Sequence, residues 1–273
     1  GFNVELDQSQ ILASSVDDMI ASSAVDYELK EWLNEYVNSK LSEEKSWKPK
    51  DDIMALAEEI FKERFKILSS EERYRLEDKK FLSGYISKLR SIKETFEETM
   101  FLAGRECDRI FTLYSLADDM FFYKGKGVPG FVRSLTAGRM MEPKTYVRAI
   151  MADPPKWSTK AMVPQLQEAV AAGLEKTLKD AIGYYDTNIV NYNSAKEILS
   201  NIYVVGILSD ILKKVRVIAT SENSFLISDA GELLREITSG DQAPFIYEKI
   251  GNRYENYMID EFQDTSLMQW DNF

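Results

Sequence analysis

One pattern limits the fold more than any other. Apolar residues recur every three or four positions through Leu82, Ile86, Leu89, Ile92, Phe96, Met100, Ala103, Cys107, Ile110 and Tyr114. This near-heptad spacing puts one continuous stripe on a long helix, which must then pack lengthwise against other helices. Gly84 and Gly104 fall inside the stretch and weaken its intrinsic helicity. Cys107 lies on the stripe, where a thiol is buried and inert.

Shorter stripes flank it. Ile11, Val16, Met19 and Ile20 predict one helix, and Leu29, Trp32, Leu33, Tyr36, Val37 and Leu41 a second. A third is expected over Ile53 to Ile67, and Ser69 with Glu72 reads as a capping box. Residues 124–160 hold four glycines and four prolines and read as a loop-rich crossover with a short helix near Thr145 to Met151. Two more stripes follow, Leu166, Val170, Leu174, Leu178, Ile182, Tyr185 and then Ile198, Ile202, Val205, Leu208, Leu212, Val215. They predict two long helices joined near Asp186 to Asn193. After about Thr220 the pattern shortens to helices at Asp229 to Ile237 and Pro244 to Ile250, then a strand at Tyr257 to Ile259. The expected fold is mainly α: a long-helix bundle over 1–220, with a small partial α/β edge at 221–273.

Composition removes several chemistries. The chain has no histidine and one cysteine, so His-dependent triads, Cys/His metal sites and internal disulfides are excluded. A reducing cytoplasm fits. No apolar run reaches the ~20 residues of a membrane span, and no signal peptide is visible. The first residue is Gly, so an excised piece of a longer protein is expected. The net charge of −11 argues against nucleic-acid binding, but its distribution does not. Residues 124–160 carry 8 basic and 2 acidic side chains, a basic island between acidic flanks.

The string that carries chemistry is Tyr257-Met258-Ile259-Asp260-Glu261-Phe262-Gln263-Asp264-Thr265-Ser266. Two carboxylates just past an apolar strand suit a metal-bound nucleotide, since ligands of open α/β sheets bind at the strands' carboxyl ends. One carboxylate can hold Mg²⁺ while the other polarises an attacking water. Gln263 could sense a γ-phosphate through its amide, Phe262 could pack the turn, and Asp264 and Thr265 add polar contacts.

Asp260 to Ser266, with Gln269 three residues on, closely resembles motif II, the Walker B box, of the UvrD/Rep superfamily 1 DNA helicases. Phe225-Leu226-Ile227-Ser228-Asp229 before Leu233-Leu234 is similar to the family's strand-then-Asp segment upstream. Phe245-Ile246-Tyr247-Glu248-Lys249-Ile250-Gly251 looks like the AddA/RecB-like subgroup, the helicase-nucleases of recombinational repair. The resemblance implies an ATP-dependent DNA helicase with ATP and Mg²⁺ as cofactors. It implies metal roles for Asp260 and Glu261, catalytic roles for Glu261 and Gln263, and nucleotide contacts from Asp260, Asp264, Thr265 and Gln269. It further implies a helical insertion subdomain over 1–220 and the edge of a RecA-like motor lobe over 221–273. Implied partners are single-stranded or forked DNA and a second helicase-nuclease subunit, with exonuclease activity in the assembly.

The family also needs a phosphate-cradling loop, Gly-x-x-x-x-Gly-Lys-[Ser/Thr]. Gly125-Lys126-Gly127-Val128-Pro129-Gly130 begins like one but continues Phe131-Val132, and no apolar strand leads into it. The chain alone is therefore expected to be inactive as an ATPase.

Within the basic island, Lys124, Lys126, Arg133, Arg139, Lys144 and Arg148 are candidate DNA contacts, with Lys156 and Lys160 beyond them. They are interleaved with Tyr123, Phe131, Tyr146 and Trp157, a mixture that suits phosphates and stacked bases. The alternatives are a solvated loop paired with the acidic flanks and, for the whole chain, a helical protein-interaction or scaffold module without motor chemistry.

Overall fold

The computed structural model describes residues 3–5, 8–41, 49–222, 224–226, 229, 258–265 and 270. Among them the chain is mainly α-helical, as the periodicity requires. It divides into two compact units, residues 1–84 with 200–273, and residues 85–199.

The first unit contains α1 (Gln8–Ser22), α2 (Tyr27–Leu41), α3 (Pro49–Ala57), α4 (Glu63–Lys66), α5 (Ser70–Glu77), the start of α6 (Lys79–Leu113), the end of α10 (Glu175–Val205) and α11 (Leu208–Ser221). Helix α1 lies against α11, burying Ile11, Leu12, Val16 and Met19 on one side and Leu208, Ile211 and Val215 on the other. The capping box is formed: Ser69 Oγ accepts from the Glu72 backbone N–H, and the Glu72 carboxylate accepts from the Ser69 backbone N–H at 2.8 Å. Strand β1 (Asn3–Glu5) runs parallel to β2 (Ser224–Leu226), with Val4 opposite Phe225. Parallel neighbours require a long crossover, and here the helices in between supply it. Sequence reading passed over β1, because three residues are too few to show alternation.

The predicted helix over Ile53 to Ile67 is broken into α3, a 3₁₀ turn at Glu58–Phe61, and α4. Lys62 is extended at ψ 146, and the buried Ile60 and Phe65 are five residues apart, off the helical period.

Gly206 ends α10 for a packing reason. The Trp32 indole N–H donates to the Tyr203 carbonyl at 2.7 Å, which brings the ring against the helix end. A Cβ at Gly206 would lie 2.4 Å from the Trp32 ring. Gly206→Ala is expected to destabilise the chain by about 1–3 kcal/mol through overpacking. Urea denaturation followed by tryptophan fluorescence measures it; an unchanged midpoint would show that the ring moves aside freely.

The second unit is built on α6 from Tyr85 onward, α7 (Val128–Thr136), α8 (Thr145–Arg148), α9 (Pro164–Ala169) and α10 up to residue 199. Its core joins Phe96, Met100, Cys107 and Ile110 of α6 to Phe131, Val132 and Leu135 of α7 and Leu178, Ile182 and Tyr192 of α10. At Gly104, where a Cβ would lie 2.7 Å from the Leu135 Cβ, α7 approaches α6 closely. Cys107 is buried as expected, and burial, with Glu106 and Asp108 beside it, pushes its thiol up to about 12.

Two elements of this unit differ from those the sequence predicts. Helix α7 stands in the stretch expected to be loop-rich. Its signal was Val128, Phe131, Val132 and Leu135 at helical spacing, with Pro129 in the first turn. There is also no join near Asp186 to Asn193, because α10 runs through it unbroken. Thr187 Oγ1 donates to the Gly183 carbonyl and Asn188 Nδ2 to the Tyr184 carbonyl, each at 2.9 Å, so these polar side chains are satisfied within the helix. The irregularity lies earlier, in a π-helical turn at Val170–Leu174 with Gly173 at φ 116.

The helices expected over Asp229 to Ile237 and Pro244 to Ile250 lie, Asp229 apart, outside the described residues.

Candidate functional site

The motif segment is described from Met258 to Thr265. Met258 and Ile259 are not in a strand, contrary to expectation, and Met258 is 99% exposed. Such a strand needs partner strands to take its backbone hydrogen bonds and bury its side chains. Past it the chain turns sharply. Glu261 is left-handed at φ 49, and Phe262–Asp264 form a 3₁₀ turn closed by the Thr265 N–H on the Phe262 carbonyl at 3.0 Å. The Asp260 carboxylate accepts the Glu261 N–H at 2.9 Å, and the Gln263 amide donates to the Glu261 carboxylate. Phe262 stacks edge-on with Trp270, centroids 5.5 Å apart. Asp260, Glu261 and Gln263 are all exposed, so their oxygens and amide face solvent. Gln269 lies outside the described residues, as does the side chain of Asp264.

Two adjacent carboxylates are a donor set that fits Mg²⁺ carried by a nucleotide, which takes one or two carboxylates and completes its shell with phosphate oxygens and water. They do not make a closed metal site. Among the described residues no group of three or more Asp, Glu, Cys or His side chains could hold an ion. The glycines at 125, 127 and 130 have a packing role: a Cβ at Gly130 would meet the Gly125 carbonyl at 2.2 Å, and one at Gly127 the Phe122 carbonyl at 2.1 Å.

The six candidate DNA contacts separate into two kinds. Lys124, Lys126, Arg139 and Lys144 are exposed and form no ion pair among the described residues. Arg133 is engaged within the protein, forked onto Asp118 at 2.8 and 2.9 Å with a further bond to the Gly125 carbonyl. Arg148 is forked onto Asp186 at 2.7 and 2.6 Å and also donates to the Pro143 carbonyl. The aromatics separate likewise: Phe131 and Trp157 belong to the core, whereas Tyr123 is exposed and stacks on Tyr146. Asp118 and Asp186, which hold these arginines, carry no local sequence signal; they stand 15 and 38 residues away.

Each guanidinium holds its partner carboxyl below the ordinary aspartate value. A depressed folded value means that the bridges stabilise fully above pH ~4, and that this is lost as pH falls through the folded values. An Asp118→Asn, Asp186→Asn double variant should therefore be less stable than wild type at pH 7, with the gap closing towards pH 3. Thermal melts followed by circular dichroism measure it, and a gap independent of pH would contradict the assignment. Both pairs are partly exposed, so the gap is modest.

Among the described residues no helix is long and apolar enough to cross a membrane. Neither a curated protein nor a solved structure matches the chain. The family of the UvrD/REP helicase N-terminal domain does, over residues 5–273, which takes in the helical units as well as the motif segment. This chain belongs to the UvrD/REP helicase N-terminal domain family.

Proposed function

We propose that this chain is part of the motor of an ATP-dependent DNA helicase of AddA/RecB-like type, acting in the cytoplasm in DNA repair and recombination with a second helicase-nuclease subunit. Residues 1–220 are its helical insertion subdomain, and 221–273 the edge of its first motor lobe. Family membership brings ATP, Mg²⁺ and DNA in general terms. The observation that carries the motor reading is the string Asp260 to Ser266 with its two exposed, adjacent carboxylates, and the AddA/RecB-like type rests on the resemblance of Phe245 to Gly251.

When bound, Mg²⁺-ATP supplies the transferable phosphoryl group with its charge partly neutralised. Asp260 is the carboxylate that would hold the metal. Glu261 would orient a water at its carboxylate and draw its proton, with Gln263, already hydrogen-bonded to Glu261, reporting the γ-phosphate. Asp264, Thr265 and Gln269 would add polar contacts to the nucleotide. The phosphate-cradling loop is not among the chain's sequence motifs, so the purified chain should not hydrolyse ATP.

The test is DNA-stimulated ATP hydrolysis by the protein that carries this chain, compared with its Asp260→Ala and Glu261→Gln variants. Loss of turnover in both supports the reading, and wild-type turnover in either overturns it.

A further inference from the structure

Tyr123 and Lys124 are consecutive non-glycine residues in the left-handed region, at φ 59 and φ 48. Such a conformation is sparsely populated and persists only where its surroundings hold it. Here backbone bonds hold the turn, from the Lys124 N–H to the Phe121 carbonyl at 3.0 Å and from the Gly127 N–H to the Lys124 carbonyl at 2.9 Å, while both side chains stay outside the core. Tyr123 is 56% exposed, and Lys124 is exposed and forms no ion pair among the described residues. The turn therefore sets the Tyr123 ring and the Lys124 side chain on the surface.

That surface is a stack of two tyrosines. The Tyr123 and Tyr146 rings lie 5.1 Å apart at 21°, near parallel. Each half has its own brace. On the Tyr123 side, Arg133 ties Asp118 to the Gly125 carbonyl, the Phe122 N–H donates to the Trp157 carbonyl at 2.7 Å, and Lys156 sits over the Phe122 ring at 4.2 Å. On the Tyr146 side, Arg148 ties α8 to Asp186 of α10 and to the Pro143 carbonyl. Cations with no ion pair among the described residues flank the stack along the chain: Lys124 and Lys126 in the turn after Tyr123, and Lys144 at the start of α8.

We infer that the Tyr123–Tyr146 stack is a ledge for single-stranded nucleic acid, with an unpaired base stacking on the exposed Tyr123 ring and Lys124, Lys126 and Lys144 meeting the adjoining phosphates. This rests on the DNA-motor reading above and deepens it, since it names the strand form taken here and the group that takes it. Every base has a π face, so the ledge is tolerant of sequence. A duplex offers only terminal faces to a ring, so the ledge discriminates single strand from duplex. Arg133 and Arg148 are positioning residues here: they hold the two halves of the stack.

The experiment is fluorescence anisotropy of the 273-residue chain with two probes, a short fluorescein-labelled oligo-dT and a blunt duplex of equal length, over a range of salt. Tyr123→Ala should weaken oligo-dT binding about tenfold while leaving the duplex affinity and the salt slope unchanged. Tyr123→Phe, which keeps the ring, should bind as wild type. Lys124→Gly removes a phosphate contact and relieves a positive φ, so it should lower the oligo-dT salt slope and raise Tm. A residue needed only for folding would lower Tm instead. The proposal is overturned if Tyr123→Ala binds oligo-dT as wild type does, if it loses both probes equally, or if the wild-type chain binds neither at low salt. None of these results bears on ATP turnover, so the ledge can fail while the Glu261→Gln test still supports the motor reading.

Discussion

Replacing Glu261 by Gln in the protein that carries this chain is expected to lower DNA-stimulated ATP turnover by about 10²–10⁴-fold, the usual worth of a positioned general base. The substitution is close to isosteric. It keeps an oxygen that can accept the Gln263 amide, so the turn at Glu261 to Asp264 has no reason to change. What it removes is the negative charge proposed to draw a proton from water. Nucleotide affinity should survive, because Asp260, the proposed metal carboxylate, remains. Asp260→Ala should differ: it weakens Mg²⁺-nucleotide binding as well as turnover, and it also removes the acceptor of the Glu261 N–H. Measuring affinity with a fluorescent ATP analogue beside steady-state turnover separates the two. Turnover of Glu261→Gln within a few-fold of wild type would remove Glu261 from the chemistry. Loss of nucleotide binding in that variant would exchange the roles given to the two carboxylates.

The largest effect on stability is expected at Phe96. Its ring is 1% exposed and stacks on Tyr192 at 4.4 Å, with Tyr184 and Tyr185 at 5.8 and 5.9 Å. The Tyr192 hydroxyl donates to Glu97 at 2.9 Å, so this tyrosine is held at both its ring and its oxygen and cannot easily move into a void. Phe96→Ala should therefore destabilise the second unit by about 3–5 kcal/mol, the range for a large aromatic truncated in a core that does not collapse. Cys107, on the same face of α6, reports it independently. Buried and with its thiol pushed up to about 12, it should resist a thiol reagent at pH 8 in the native protein and react only through opening. In Phe96→Ala that labelling should accelerate by roughly two to four orders of magnitude, because a lower opening energy raises the open population exponentially. Unchanged labelling with a large shift in the urea midpoint would mean that Cys107 opens independently of the Phe96 cluster.

Several features were legible because their causes are local. The long stripe of α6, from which only Ile92 departs by lying exposed, the Ser69–Glu72 capping box and the burial of Cys107 all follow from side chains within one or two helical turns of each other. The string from Asp260 is likewise contiguous, and the family to which it points spans nearly the whole chain. Where local signals competed, reading failed. Asp186 to Asn193 looked like a join because its polar residues favour turns, yet their side chains bond back to the helix they sit in.

By itself, then, the sequence determined the helical class, the principal stripes and the family motif, since each is a pattern repeated or completed within a few residues. Only the tertiary structure decided which cations of residues 124–148 are paired among the described residues. Arg133 and Arg148 read like Lys124 and Lys144 in the sequence, but partners 15 and 38 residues away take up their guanidinium groups. The same long-range folding put Phe131 and Trp157 in the core and stacked Tyr123 on Tyr146. Charge and aromaticity belong to the residue. Whether a given charge or ring faces solvent is set by what the rest of the chain packs against it.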